Sequence, residues 1–128
     1  MSKSLKGQIH SVRFPYFDIR NNKTSFKARP MLIIGVEKDQ LPCDIIALPI
    51  SKISIAKNIH DDFDIKLESN QIQALNLNHD PSYIRVHKQL YVPSQDVQKT
   101  PVSNLKEIFP ELYKKIQEKS HMFHETLF

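Results

Sequence analysis

KARPMLIIGV, residues 27–36, gives the clearest indication of the fold. Its apolar run from Met31 to Ile34 is unbroken, which is typical of a strand buried on both faces. The run predicts a β-strand over residues 29–36 with Arg29 at its entrance. An arginine is always charged and offers a fork of donors that suits phosphate, and a rigid strand would hold that fork still. Arg29 is therefore either an anion-binding group or an ordinary surface arginine ahead of a core strand.

Segments on both sides of this stretch predict further strands. On the N-terminal side, a strand over 8–14 should end at Pro15, and a long polar loop over 17–28 should separate it from Arg29. On the C-terminal side, the pattern predicts strands over three ranges: 44–50, 63–67 and 82–92, the last as one or two strands. Alternation in the last range should turn Ile84 and Val86 inward and place three side chains on the opposite face: Tyr83, Arg85 and His87.

The last quarter of the chain predicts helix. Ser103 is a candidate N-cap, and Pro110 fits the first turn of a second helical piece. Apolar side chains at helical spacing should pack this region, residues 102–120, against the sheet: Leu105, Ile108, Leu112 and Ile116. The apolar tail over 120–128 should dock on the core or on a second subunit. The plan is a mainly β chain, a small barrel or curled sheet with a C-terminal helix.

Length and composition favour a single domain over residues 1–128. The formal net charge is +4 and the isoelectric point is about 9.2, which mildly favours a polyanionic partner. The single cysteine, Cys43, excludes an intrachain disulfide and favours a reducing compartment. The N-terminus lacks the apolar core of a signal peptide, and the sequence lacks an apolar run of membrane-spanning length. We therefore expect a cytoplasmic protein whose residues 1–6 form a flexible basic tail.

Two kinds of binding site are disfavoured. With only two glycines, the chain lacks the phosphate-cradling loops of Walker-type and dinucleotide-binding proteins. His60 with Asp61, Asp62 and Asp64 resembles a metal site on paper. Because neighbouring residues of an extended chain point in different directions, a solvated acidic turn is the better interpretation. We expect neither a metal nor a cofactor.

Four segments, in their order and spacing, resemble the PemK/MazF family of toxin endoribonucleases from bacterial toxin–antitoxin systems. They are GQI at 7–9, ARPMLII at 28–34, ALPIS at 47–51 and SYIRVHK at 82–88. The resemblance covers residues 7 to about 118. It implies an SH3-like barrel of the CcdB/PemK plug-barrel type with a C-terminal helix, assembled as a homodimer. It also implies metal-independent cleavage of single-stranded RNA, neutralisation by a cognate antitoxin protein, and no membrane partner.

The resemblance also implies roles for individual residues. Arg29 falls on the catalytic arginine, Ser51 on the active-site threonine, and Arg85 on an arginine found in some members. His87 stands where many members carry an aspartate proposed as general base, and Lys88 replaces a glutamine, so the acid and base assignment stays open. Contacts to the RNA are expected from five further side chains: Lys23, Thr24 and Lys27 in the loop, Lys52, and Lys88.

This set of residues suits RNA cleavage by the 2′-hydroxyl. The reaction needs a base, a group that stabilises charge on the phosphoryl oxygens, and a proton for the leaving oxygen. Arg29 would hold the phosphoryl oxygens, Ser51 would donate a hydrogen bond, and His87 would act as base or acid because it titrates near neutrality. Arg85 nearby should lower the pKa of His87 and keep more of it neutral.

Other interpretations of the same residues stay open. Ser51 would also satisfy a strand end, while Arg85 and His87 would also be ordinary solvated residues on a sheet face. The competing function is a non-catalytic barrel like the CcdB branch, which inhibits DNA gyrase by protein contact. A third is a housekeeping RNA-binding barrel without toxicity.

Overall fold

The computed structural model of the protein describes residues 5–128, which form a mainly β fold with a C-terminal helix. Seven strands are β1 (Gln8–Asp18), β2 (Lys23–Val36), β3 (Asp44–Ser51), β4 (Asp64–Lys66), β5 (Tyr83–Arg85), β6 (Leu90–Pro93) and β7 (Ser103–Asn104). Three helices are α1 (Ser69–Ala74), α2 (Leu105–Ile108) and α3 (Pro110–Glu125). Most of the predicted tail, residues 1–4, lies outside the described residues.

The strands form one curled antiparallel sheet in the order β4-β5-β3-β2-β1-β7. One edge of β3 pairs with β2, and its other edge is shared by β6 and β5. Asp44 to Ala47 pair with β6, whereas Ile50 and Ser51 pair with β5. This change of partner along β3 bends the sheet into a half-barrel.

The sequence prediction was wrong about the first two strands. β1 runs through Pro15 to Asp18, and β2 begins at Lys23, so most of the predicted loop over 17–28 is a paired ribbon. Proline is tolerated where the edge of a strand is unpaired. Within residues 5–128, the outer edge of β1 pairs with β7 at Gln8 and Ile9 and forms a bridge at Val12, and C-terminal to Val12 it has no strand partner. Asn22, at φ 51°, supplies the left-handed residue that closes this turn without a glycine.

The two faces of the sheet each pack against a cluster of apolar side chains. The larger cluster lies between the sheet and the helices, and its members include Ile9, Leu32, Leu48, Ile84, Leu105 and Ile116. The smaller one lies on the opposite face: Val12, Met31, Ile33, Ile45, Ala47 and Val92. The alternation of β1 and β2 explains this division, and the prediction that strand 29–36 is buried on both faces is confirmed from Met31 to Ile33.

The C-terminal region differs from its prediction in detail. Asn104, not Ser103, is the N-cap of α2, because its side chain accepts a hydrogen bond from the Glu107 N–H at 3.1 Å. Pro110 begins a separate helix as predicted, and that helix continues to Glu125. The break between the two helices leaves Ile108 exposed, so the predicted apolar stripe is interrupted there. None of the helices among the described residues is both long and apolar enough to cross a membrane.

Candidate functional site

The sheet places Arg29, Ser51 and Arg85 on one face. Met31 of β2 pairs with Pro49 of β3; Arg29 precedes Met31 by two residues and Ser51 follows Pro49 by two. Because side chains alternate along a strand, Arg29 and Ser51 point to the same side as this pair. Ser51 pairs in turn with Tyr83 of β5, and Arg85 lies two residues further along. Three strands thus contribute polar side chains to one surface.

A cavity of about 440 Å³ opens on this surface where β3 ends. Four of the predicted site residues line it: Ser51, Lys52, Arg85 and Lys88. The rest of the wall comes from Asn58 and residues 53–55. The lining therefore carries three cationic side chains and, within the described residues, no carboxylate. Such a cavity favours an anion and offers it a hydroxyl group besides.

Arg85 is fixed at the wall of this cavity by a buried carboxylate. Its Nε donates to Oδ1 of Asp64 at 3.0 Å, its Nη2 donates to Oδ2 at 3.1 Å, and Nη2 also donates to the Asn58 carbonyl at 3.0 Å. The Asp64 side chain is 0% exposed and that of Arg85 is 21% exposed. The guanidinium is thus fixed through both Nε and Nη2, so its orientation at the cavity wall is set by the protein itself.

Asp64 is the site residue that the sequence analysis missed. It lies in the clean alternation of 63–67, where its outward position predicts only a solvated residue. Its partner is 21 residues away in sequence, and the β4–β5 register that pairs Asp64 with Arg85 has no local signal. An aspartate that alternates with buried apolar residues indicates an ion pair only when the neighbouring strand, and the arginine it carries at the paired position, are known.

His87 lies beside this ion pair and apart from the cavity. The prediction that it shares a strand face with Arg85 was wrong, because β5 ends at Arg85. Its side chain is 11% exposed, and its Nδ1 lies 3.8 Å from Oδ1 of Asp64. Among the described residues, this buried nitrogen has no hydrogen-bond partner. His87 does not line the cavity.

Burial is the main cause that lowers the pKa of His87. The carboxylate of Asp64 opposes it, while the charges of Arg85, His60 and Lys88 lower the pKa further. The predicted effect of Arg85 has the right direction but is smaller than that of desolvation. The imidazole is therefore neutral near pH 7 and able to accept a proton.

Aromatic rings enclose the rest of the imidazole. His60 lies 4.8 Å from the His87 ring centre, Phe123 of α3 at 6.2 Å and Phe63 at 6.4 Å. Lys119 of the same helix donates to the Asp62 carbonyl at 2.7 Å. The C-terminal helix is therefore joined directly to the segment that holds the ion pair.

Arg29 is half-buried on β2, opposite Val12 of β1. Its guanidinium lies 6.0 Å from the centre of the Phe14 ring, and in the described chain its Nε has no hydrogen-bond partner. Arg29 is not among the residues that line the cavity.

The predicted contacts Lys23, Thr24 and Lys27 lie on the ribbon formed by β1 and β2, outside the cavity. A cation lies over a ring on each face of the ribbon: Arg13 lies 3.8 Å from the centre of the Phe26 ring on one face, and Lys27 lies 4.6 Å from that of Tyr16 on the other. Phe17 is 59% exposed and Phe26 is 50% exposed. Such interleaving of basic and aromatic side chains is typical of surfaces that bind single-stranded nucleic acid.

The segment from His60 to Asp64 is a hydrogen-bonded turn. The His60 N–H donates to Oδ2 of Asp64 at 2.8 Å, and Nδ1 of His60 accepts from the Asp62 N–H at 3.2 Å. Across residues 5–128, His, Cys, Asp and Glu side chains form no group of three that would hold a metal ion.

A comparison with models of known protein families finds no match for this chain. A comparison with curated protein sequences finds none either.

Proposed function

We propose that this protein is a metal-independent endoribonuclease that cleaves single-stranded RNA by attack of the 2′-hydroxyl on the adjacent phosphorus. One observation carries the proposal: a cavity brings Ser51 and three cationic side chains from separate segments together, one of them fixed by a buried ion pair. A scissile phosphodiester is an anion that needs this combination of charge and hydrogen-bond donors.

The reaction assigns a task to each group in or near the cavity. The 2′-oxygen forms a bond to phosphorus, the bond from phosphorus to the 5′-oxygen breaks, and a cyclic phosphate results. Arg85, with Lys52 and Lys88, would stabilise the charge on the phosphoryl oxygens, and the Ser51 hydroxyl would donate a hydrogen bond to one of them. His87, kept neutral by its lowered pKa, would take the proton from the 2′-hydroxyl once the turn that carries it brings the imidazole to the cavity. The resulting imidazolium, or a water molecule, would then give a proton to the leaving 5′-oxygen.

The ribbon formed by β1 and β2 would bind the nucleotides that flank the cleaved bond. On the face that Arg29 shares with Ser51, Lys23 and Lys27 also offer charges for the RNA backbone, and the half-buried Tyr16 ring offers a stacking surface. The exposed rings of Phe17 and Phe26 lie on the other face of the ribbon, with Thr24. Thr24 would add a hydroxyl group. Arg29 links the two regions, since it lies on the ribbon and faces the same side as Ser51.

The resemblance to the PemK/MazF family extends this proposal. It adds the SH3-like type of barrel, a homodimer, a cognate antitoxin protein and a cytoplasmic toxin function. The curled sheet with a C-terminal helix is compatible with this fold.

A second candidate function is RNA or protein binding without cleavage, as in the CcdB branch. This candidate is supported by the cavity lining, which contains no histidine or carboxylate within the described residues. A general base for cleavage must therefore come from outside the lining. Cleavage chemistry distinguishes the two candidates.

The test is incubation of the purified protein with single-stranded RNA in EDTA. We expect fragments that end in a 2′,3′-cyclic phosphate. Ser51→Ala should lower the rate by about 100-fold, the usual loss when one charge-stabilising donor is removed. His87→Ala should abolish cleavage while leaving the fold intact, whereas Arg29→Ala, which removes a charge outside the cavity lining, should weaken RNA binding. Intact RNA that is nevertheless bound by the wild-type protein would favour the second candidate.

Lys88→Gln provides a test of binding, with Lys38→Gln as its matched control. Both lysines are exposed, and Lys38 lies in the turn after β2, away from the cavity lining. Lys88→Gln should weaken RNA binding and lower the slope of log K against log salt by about 0.7. Lys38→Gln should change neither quantity, and equal effects of the two variants would show that the cavity is not the RNA site.

A further inference from the structure

The carboxylate of Asp64 lies between Arg85 and His87, two side chains of the proposed site. Its Oδ2 accepts from Nη2 of Arg85 and from the His60 N–H, at 3.1 and 2.8 Å. Its Oδ1 accepts only from Nε of Arg85, at 3.0 Å, among the described donors. A carboxylate oxygen accepts two hydrogen bonds with ease, so Oδ1 keeps an acceptor position open.

The group nearest to this open position is Nδ1 of His87. It lies 3.8 Å from Oδ1, is buried, and lacks a hydrogen-bond partner within residues 5–128. A buried polar nitrogen without a partner is costly, and so is an unfilled acceptor on a buried carboxylate. Movement of the imidazole by under about 1 Å would bring the pair to hydrogen-bond distance and satisfy both.

The surroundings limit how the imidazole turns. His60 and Phe63 lie against the ring from the turn and the start of β4, and Phe123 lies against it from α3. The charged and titratable groups that face His87 are Asp64 on β4, Arg85 on β5, His60 in the turn, and Lys88. Asp64 is the acceptor available to His87 within this set, because Arg85 and Lys88 are donors and Nδ1 of His60 already accepts from the Asp62 N–H.

We propose that Asp64 is a positioning residue that fixes Arg85 at the cavity wall and holds His87 in the tautomer with its proton on Nδ1. The role of Asp64 in catalysis rests on the proposed function, whereas the tautomer of His87 does not. In this tautomer Nε2 carries the free lone pair, so the ring accepts a proton through Nε2. The same carboxylate then aligns the cation that stabilises charge and the base that removes the proton. No bond is formed or broken at Asp64 itself.

The orientation is tested on the full chain without RNA, by long-range proton–nitrogen NMR of the histidine rings. We expect His87 in the Nδ1–H tautomer at pH 7.5, and a titration midpoint that falls further in Asp64→Asn, because the carboxylate is the influence that raises it. Asp62→Asn is the matched control: it removes one exposed carboxylate from the same turn and should leave both readouts unchanged. Observation of the Nε2–H tautomer in the wild-type protein would overturn the inference, even if Asp64→Asn fails to fold.

The catalytic meaning is tested by the pH profile of RNA cleavage. Asp64→Asn should lower kcat by at least about tenfold and move the acid limb of the profile to lower pH, with a smaller change in KM. Unchanged kcat and profile in a folded Asp64→Asn protein would refute the positioning role. If the wild-type protein binds but does not cleave RNA, the endoribonuclease proposal fails, and the NMR result still decides the orientation of His87.

Discussion

Replacement of Arg85 by methionine should lower the free energy of unfolding by about 3 kcal/mol, the low end of the range for a broken buried ion pair. The variant keeps the length of the aliphatic side chain and removes the guanidinium. Asp64 is then left with the His60 N–H as its remaining donor among the described residues, in a position that is 0% exposed. The low end applies because the Arg85 side chain is 21% exposed and its own desolvation is incomplete.

A double-mutant cycle separates the ion pair from other effects of the substitution. Asp64→Leu should cost about 2 kcal/mol, because it leaves the His60 N–H and the guanidinium without their acceptor. The double variant should be about as stable as Asp64→Leu alone, since an apolar pair replaces a charged one. The coupling energy should then be about 3 kcal/mol, near the upper limit for residues in direct contact.

The assay is urea unfolding followed by circular dichroism, with thermal unfolding as a second measurement. A loss of 3 kcal/mol corresponds to a fall in Tm of about 11 °C for a chain of this length. Arg20→Met is the control, because Arg20 is an exposed arginine in the ribbon turn, and its cost should stay below about 0.5 kcal/mol. A coupling energy below about 1 kcal/mol, the value of an exposed ion pair, would show that Asp64 and Arg85 do not form a desolvated ion pair.

Three further predictions concern the rest of the fold. Gly7→Ala should cost about 2 kcal/mol in urea unfolding, because Gly7 has φ +89° and an added methyl group would collide with the Lys106 side chain; a neutral effect would show that this turn relaxes freely. Stability should fall as pH drops below about 6.5, the ordinary pKa of histidine, because the folded state keeps the pKa of His87 lower and binds fewer protons than the unfolded state. His87→Asn should flatten that slope, and an unchanged slope would contradict the burial of the imidazole. Asn104→Ala should cost about 1 kcal/mol through loss of the helix cap, as measured by thermal unfolding.

The apolar strands were predictable because burial leaves a pattern in the sequence. Met31 to Ile33 are fully buried as their unbroken run predicts, and Ile65 and Leu67 alternate with polar residues as expected for β4. The ribbon over 13–28 was not predictable in the same way. Its two strands are held by backbone pairing and by contacts between cations and rings, so they lack the apolar face that marks a half-buried strand.

The cationic residues of the candidate site could be predicted from the sequence, whereas Asp64, which fixes Arg85, could not. Ser51 and Arg85 end or follow apolar strands, and both line the cavity. The arrangement of Asp64 and His87 depends on the β4–β5 register and on the packing of Phe123. Phe123 belongs to α3 and lies 36 residues after His87 in the sequence. Such contacts are set by tertiary structure and leave no local trace in the sequence.

The position of the cavity follows from the way β3 changes partner. One edge of β3 pairs with β2 up to Pro49, while its other edge pairs with β6 up to Ala47 and with β5 at Ile50 and Ser51. Past Pro49, the described residues show no further pairing between β3 and β2, and the side chains at this end of β3 line the cavity. Ser51 and Lys52 are those side chains, and Arg85 faces them from β5. A shift of one residue in the β3–β5 register would exchange every side chain between core and cavity. The core residues Ile50 and Ile84 therefore hold the candidate site in place, and the rigidity of its wall comes from the same pairing that buries them.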